Sequence, residues 1–263
     1  MKKLIPLFFL FTAFISNAQR TMFGGNNKYV VPVIPFSAPA IVTNGLVLNL
    51  DAANPDSYNG SGTTWTDLSG SGNNGTLVNG TAFSSSNQGC LLLDGTDDYI
   101  SLPSSNSFNF GTGDFTLEMW VYLENVNTNP HIITINGNSS YYAAIRLNYY
   151  SGNLYTYHSS TGSSWESAGA NFAFSTDAWS QIKVSRISGL VKIYVNNVEK
   201  NSFSLPNSLM TSGVTQIGKL SYYSSNYHTM KGKIAITRIY QNKGLTASEV
   251  AINFDAVKSR FGY

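Results

Sequence analysis

The sequence predicts an all-β chain folded as a two-sheet antiparallel jelly-roll β-sandwich with a short C-terminal helix, and three observations lead there. Short apolar runs alternate with polar residues at a period of two. Clusters of Gly, Asn and Ser separate those runs at regular intervals. Only one stretch, close to the C-terminus, combines a cap with helical spacing.

Along the chain, Lys2 and Lys3 precede an apolar run from Leu4 to Ile15, and Ser16, Asn17 and Ala18 supply small residues of the kind a signal peptidase reads. Residues 1–18 are therefore expected to be a signal peptide, with cleavage before Gln19. Residues 19–42 hold Gly24-Gly25 and three prolines without sustained periodicity, and are expected to be a linker or N-terminal tail. Residues 43–263 are expected to form one domain, with strands at 46–50, 90–93 and 99–102. The clearest strand follows: Phe115, Leu117, Met119, Val121 and Leu123 fall on one face and Thr116, Glu118, Trp120 and Tyr122 on the other.

Strands are next expected at 132–135, 144–147 and 154–157. Ile182 and Val184, then Val191, Ile193 and Val195 across Ser188-Gly189, read as a hairpin. A second turn at Asn196-Asn197 extends it into a meander, since Asn tolerates positive φ in tight turns. Residues 233–240 add another strand. Thr246 and Glu249 then form a capping box ahead of Val250, Ile252, Phe254 and Val257. So many half-buried strands are best accommodated by two sheets packed face to face.

The formal charge of +2 includes Lys2 and Lys3, and without them 14 basic side chains balance 14 acidic ones. Nothing in that balance points to nucleic acid, and no later run approaches the roughly 20 apolar residues of a membrane span. Cys90 is the single cysteine, so no disulfide can form within one chain, and its apolar neighbours suggest a small buried residue.

Several stretches carry a family resemblance: residues 45–51 (GLVLNLD) with 65–70 (WTDLSG), 93–100 (LDGTDDYI), 115–121 (FTLEMWV), and 179–195 followed by 232–240 and 245–250. Their order and spacing resemble the laminin-G-like, concanavalin A-like lectin/glucanase superfamily, over residues 45–263. The resemblance implies a secreted or surface module that binds glycans or protein partners, often with a calcium ion in a loop. It also covers glycoside hydrolases, because fold does not specify function.

The hydrolases of the superfamily carry a Glu-x-Asp-x-x-Glu strand, and retaining glycosidases need two carboxyl groups about 5–5.5 Å apart. Here Trp120 stands where the middle Asp would be, and Glu118 and Glu124 are about 20 Å apart at strand rise. His131, His158 and His228 are scattered without metal-ligand spacing. No catalytic residue is therefore assigned.

Calcium takes six to eight oxygen ligands. Asp94, Asp97 and Asp98 share a Gly-containing turn, Asp51, Asp56 and Asp67 lie in N-terminal loops, and Asp51, Asp94 and Asp97 are the chosen ligands. The same residues could instead only shape turns. Sugar binding needs an aromatic platform flanked by polar groups, and Trp165, Tyr149, Tyr150, Tyr222, Tyr223 and Tyr227 are the candidates. Trp120 and Trp179 sit in strong strand patterns and are assigned to the core. The reading is a secreted, non-catalytic module for carbohydrate or a glycosylated surface, assisted by calcium. A structural or adhesive protein making extracellular protein contacts is the alternative.

Overall fold

The computed structural model describes residues 40–125, 128–166, 171–220 and 228–263. The expected signal peptide, most of the expected linker, and Tyr222, Tyr223 and Tyr227 lie outside the described residues.

Sixteen strands form two antiparallel sheets. The first sheet runs β14(Val198–Ser204), β13(Leu190–Val195), β12(Trp179–Ile187), β7(Phe115–Leu123), β16(Lys231–Gln241), β5(Cys90–Asp94), β4(Ala82–Ser84). The long β16 pairs with β5 through residues 231–234 and with β1(Leu46–Asp51) through residues 236–240. The second sheet runs β11(Asn171–Ala173), β10(Asn153–His158), β9(Ile145–Tyr150), β8(His131–Gly137), β15(Val214–Ile217), β6(Tyr99–Leu102), β3(Gly75–Val78), β2(Thr64–Trp65). Every strand anticipated from alternation is present, joined into a sandwich by non-local pairings.

The inner faces build one apolar core. Leu91, Leu117, Met119, Val121, Ile182 and Val184 come from the first sheet, and Ile100, Ile133, Ile135, Leu147, Leu154 and Ile217 from the second. The β12–β13–β14 meander is turned at Ser188-Gly189 and Asn196-Asn197, all at positive φ (50° and 79°, then 49° and 65°), as tight hairpin turns require. Gly232, at φ 148°, sits where a Cβ would run into the Tyr122 carbonyl, so the close approach of β16 to β7 depends on glycine.

The sequence pattern shows one apolar face on β7, yet both faces are buried. Helix α1(Ala247–Asp255) and a 3-10 turn at Lys258–Phe261 cover the outer face of the first sheet. Thr246 caps α1, and its side chain and that of Glu249 satisfy each other's backbone N–H groups, the capping box read from the sequence. Trp120 stacks on Phe261 (centroids 4.0 Å apart) and on Phe254 (5.7 Å) in a second apolar cluster that includes Trp179 and Cys90. The two tryptophans are thus core residues, but of a different core from the one between the sheets.

Beside them a charged network is sealed from water. Glu118, fully buried, accepts from Arg238 Nη1 at 2.8 Å, from Asn253 Nδ2 at 2.7 Å and from Gln181 Nε2 at 3.1 Å. Lys183 Nζ lies 3.9 Å from the carboxylate and donates to the Val250 carbonyl of α1 at 2.6 Å. Asn253 also donates to Tyr240 Oη, and its Oδ1 accepts from Val42 N, tying the entering chain to the helix. Burial opposes ionisation of Glu118, but Lys183 and Arg238 outweigh it and hold the carboxyl below its ordinary range. Burial pushes Lys183 down to about 8, against the pull of Glu118. Among the described residues, no helix is long and apolar enough to cross a membrane.

Removing one member of a buried charge network leaves the others uncompensated. Glu118→Ala is expected to lower unfolding free energy by about 3–5 kcal/mol in urea titrations. Because the folded pKa of Glu118 is depressed, its stabilisation is complete above the unfolded carboxyl pKa and is lost as pH falls through and below that range. The gap between wild type and Glu118→Gln should therefore narrow in acid.

Candidate functional site

With the outer side of β7, β12 and β16 covered, the outer face of the second sheet offers a sandwich face that can meet a ligand. Alternation decides which side chains reach it. On β9, Ile145, Leu147 and Tyr149 point into the core, and Arg146, Asn148 and Tyr150 point outward. On β10, Leu154 points inward while Tyr155 and Tyr157 point outward. Pairing places Thr134, Arg146 and Tyr157 in one row across three strands, and His131, Asn148 and Tyr155 in the next.

These rows carry an aromatic group. Tyr155 and Tyr157 lie with centroids 6.0 Å apart and planes 15° from parallel. Trp165 approaches Tyr157 at 5.5 Å and Tyr142 at 5.2 Å. The Arg146 guanidinium carbon sits 4.3 Å from the Tyr157 centroid and 4.4 Å from that of Trp165. Tyr142, Tyr155, Tyr157 and Trp165 are all half-buried, anchored on one side and reachable on the other. Burial pushes the Arg146 guanidinium down to about 10, which leaves it cationic at neutral pH.

The histidines, scattered in sequence, are partly gathered by the fold. His131 and His228 meet edge to face at 5.1 Å. His131 is 1% exposed, and neither of its ring nitrogens has a hydrogen-bond partner among the described residues. Burial, reinforced by Arg146 and His228, holds His131 well below its ordinary pKa. Asn148 donates to Asn129 Oδ1 at 2.6 Å, and its own Oδ1 is buried without a partner among the described residues. His158 instead turns inward and stacks on Phe203 at 5.4 Å.

Of the aromatic candidates named from the sequence, Trp165 belongs to this group and Tyr150, 48% exposed, stands on the same outer face. Tyr149 is corrected: it is a core residue packed against Phe174, because it is in phase with Ile145 and Leu147. Arg146, Tyr142, Tyr155 and Tyr157 were not among the chosen candidates. The parity of β9 and β10 could have found the two strand tyrosines and the arginine, whereas the approach of Tyr142 and Trp165 depends on loop placement.

The acidic candidates separate as well. Asp51 does not join the others but takes Arg260 Nη1 on both carboxylate oxygens, at 2.9 and 3.0 Å. Asp94, Asp97 and Asp98 do meet, each offering a carboxylate oxygen within 4.8 Å of the others. Asp98 replaces Asp51 in that set. Burial raises the Asp98 carboxyl pKa, helped by Asp94 and Asp97. Asp94 Oδ1 accepts from Thr96 N at 2.7 Å, and Asp98 Oδ2 from Asp94 N at 3.2 Å, so part of the oxygen set already shapes the turn. Three carboxylates with oxygens to spare fit a hard cation that completes its shell with water. Of the two carboxylates on the segment nearest a hydrolase pattern, Glu118 is closed beneath α1 and Glu124 pairs with Lys231.

Two shallow polar clefts, of about 260 and 370 Å³, lie elsewhere. Ser105, Asn106, Asn136 and Ser212 line the first, and Asp56, Asn59 and Thr64 the second. Neither contains an aromatic side chain.

Two packed antiparallel sheets with one C-terminal helix form a jelly-roll sandwich. Residues 94–251 match the laminin-G-like family described as the concanavalin A-like lectin/glucanases superfamily, and the chain belongs to that family. Similar solved structures are toxin binding domains. That of Paraclostridial Mosquitocidal Protein 1 aligns with a TM-score of 0.64 and 17% identity, over 81% of this chain and 52% of that one. The ligand binding domain of botulinum neurotoxin serotype D, in complex with N-acetylneuraminic acid, aligns at 0.65 and 17%, over 83% and 52%. The type G receptor binding domain aligns at 0.61 and 17%, over 80% and 51%. This chain spans about half the length of those domains, and the likeness is one of fold. Among curated proteins no sequence match is found.

Tyr149→Ala is expected to cost about 3–5 kcal/mol as a large-to-small core change. Tyr150→Ala should stay within about 0.5 kcal/mol, as an exposed substitution. Urea unfolding of the two variants separates core from surface on this one strand.

Proposed function

We propose that the protein is an exported, non-catalytic carbohydrate-binding module whose ligand stacks on Tyr155, Tyr157 and Trp165. The observation that carries this reading is the half-buried aromatic group on the open face of the second sheet, flanked by Asn148, Thr134 and His131. Pyranose rings present apolar C–H faces to such platforms while their hydroxyls seek amides and imidazoles. The complex of one structural neighbour with N-acetylneuraminic acid supports a saccharide ligand in this fold. Export is supported by the basic, apolar and small-residue succession of residues 1–18. Burial of Glu118 supports binding without hydrolysis.

The reading includes a calcium ion at Asp94, Asp97 and Asp98, supported by the convergence of their oxygens. The loop closes the turn at the end of β5, where Asp94 and Asp98 already accept backbone N–H groups, so the ion is assigned a structural role.

A glycan-array screen followed by calorimetry is the direct test. Trp165→Ala and Tyr157→Ala should each weaken saturable binding about tenfold or more, as loss of a central anchor does. Binding that survives both substitutions unchanged removes the platform from consideration, and no binding to any glycan would favour an adhesive role through protein contacts. Separately, calcium should raise the thermal midpoint of the wild type by a few degrees. An Asp97→Asn/Asp98→Asn double variant should lose that response, and an unresponsive wild type would dismiss the ion.

A further inference from the structure

The aromatic platform contains a charge that carbohydrate stacking alone does not use. Among the described residues, Arg146 is the one Lys, Arg, Asp or Glu in all eight strands of the second sheet. All fourteen Asp and Glu of the chain lie within the described residues, and none of them pairs with it. Glu166, next to Trp165, is already engaged by Ser160 N at 3.1 Å and Asn207 Nδ2 at 3.1 Å.

Stacking on Tyr157 and Trp165 compensates part of the cost of a half-buried cation. Tyr157 meets part of the hydrogen-bonding need of the guanidinium, and no Asp or Glu takes the rest. Nε is closed off from solvent without an acceptor among the described residues. A second, separate observation lies on the next row: the His131 ring nitrogens and Asn148 Oδ1 are buried and unpaired among the described residues, and both residues are at least nine-tenths buried. Native structures seldom leave so many buried polar atoms without partners.

We infer that the ligand is a saccharide bearing a carboxylate, a uronic or sialic-type sugar. Its carboxylate meets the donor edge of Arg146 while its ring stacks on Tyr157 and Trp165, and its hydroxyls pair with His131 and Asn148. The inference rests on the carbohydrate reading and specifies its substrate class. A planar carboxylate suits the arginine fork, which a lysine would not reproduce.

Matched glycan pairs test it: polygalacturonate against its carboxyl-reduced form, alginate against its reduced form, and sialyllactose against lactose, each titrated calorimetrically. The wild type should bind at least one acidic member about tenfold or more tightly than its neutral counterpart, as for a charge-assisted hydrogen bond. In Arg146→Gln that ratio should fall toward one, and Arg146→Lys should keep only part of it. Thermal melts establish that the variants fold, and if Arg146→Gln does not, Arg146→Lys carries the comparison. Equal affinity within every pair, or an acid preference that survives in Arg146→Gln, overturns the acidic ligand and leaves the carbohydrate reading standing. Absence of binding to both members of every pair overturns the two together.

Discussion

The carboxylate of Glu118, held under the C-terminal helix by Arg238, Lys183 and Asn253, governs how the two faces of this sandwich are used. A β-sandwich normally has two outer faces in contact with water. Here one is closed, because the polar residues on the reverse of β7, β12 and β16 need partners that water no longer supplies, and α1 brings them in Asn253 and the Val250 carbonyl. Trp120 and Trp179, packed against Phe254 and Phe261, seal the rest of that face. The centre of the first sheet is thereby closed to a ligand.

The division of charge between the sheets follows the same logic. Strands of the first sheet carry Glu118, Lys183 and Arg238 as one buried network, and Arg186 buried against the Gly111 and Gly113 carbonyls. Those of the second are nearly free of charge among the described residues and present Thr, Asn, Gln and Tyr outward, with Arg146 alone among them. Uncharged polar surface with aromatic relief suits hydroxyl-rich ligands. A lone cation in such surroundings acts over a short range in a medium less screening than water, where one ionic contact weighs more.

The superfamily spans lectins and glucanases, so the carboxylates decide how this chain resembles each. A glycosidase needs two acids across one cleft. Among the described residues, Glu118 lies beneath α1, Glu124 pairs with Lys231 at the end of β7, and the Asp94–Asp97–Asp98 group closes a turn at the end of β5. Glu118 and the Asp94–Asp97–Asp98 group thus serve helix docking and turn geometry, and the outer face of the second sheet carries half-buried aromatics beside the buried Asn148 and His131.

The sequence by itself determined the longer strands but not the short β2, β3, β4, β11 and β15, together with the hairpin turns at Ser188-Gly189 and Asn196-Asn197 and the capped helix, because each depends on local periodicity or on a residue's own backbone preferences. It also marked Trp165 and the turn at Asp94 and Asp97. The phase of Ile145 and Leu147 separates Tyr149 from Tyr150 once the strand is extended, but nothing local pairs Asp51 with Arg260 across more than two hundred residues. Tertiary structure alone decided that Glu118 is buried, that His131 meets His228, and that Tyr142, Tyr157, Trp165 and Arg146 form one group. The physical reason is the same in each case: alternation says that a side chain leaves a strand on one side or the other, but which element covers that side is settled by packing between segments far apart in the chain.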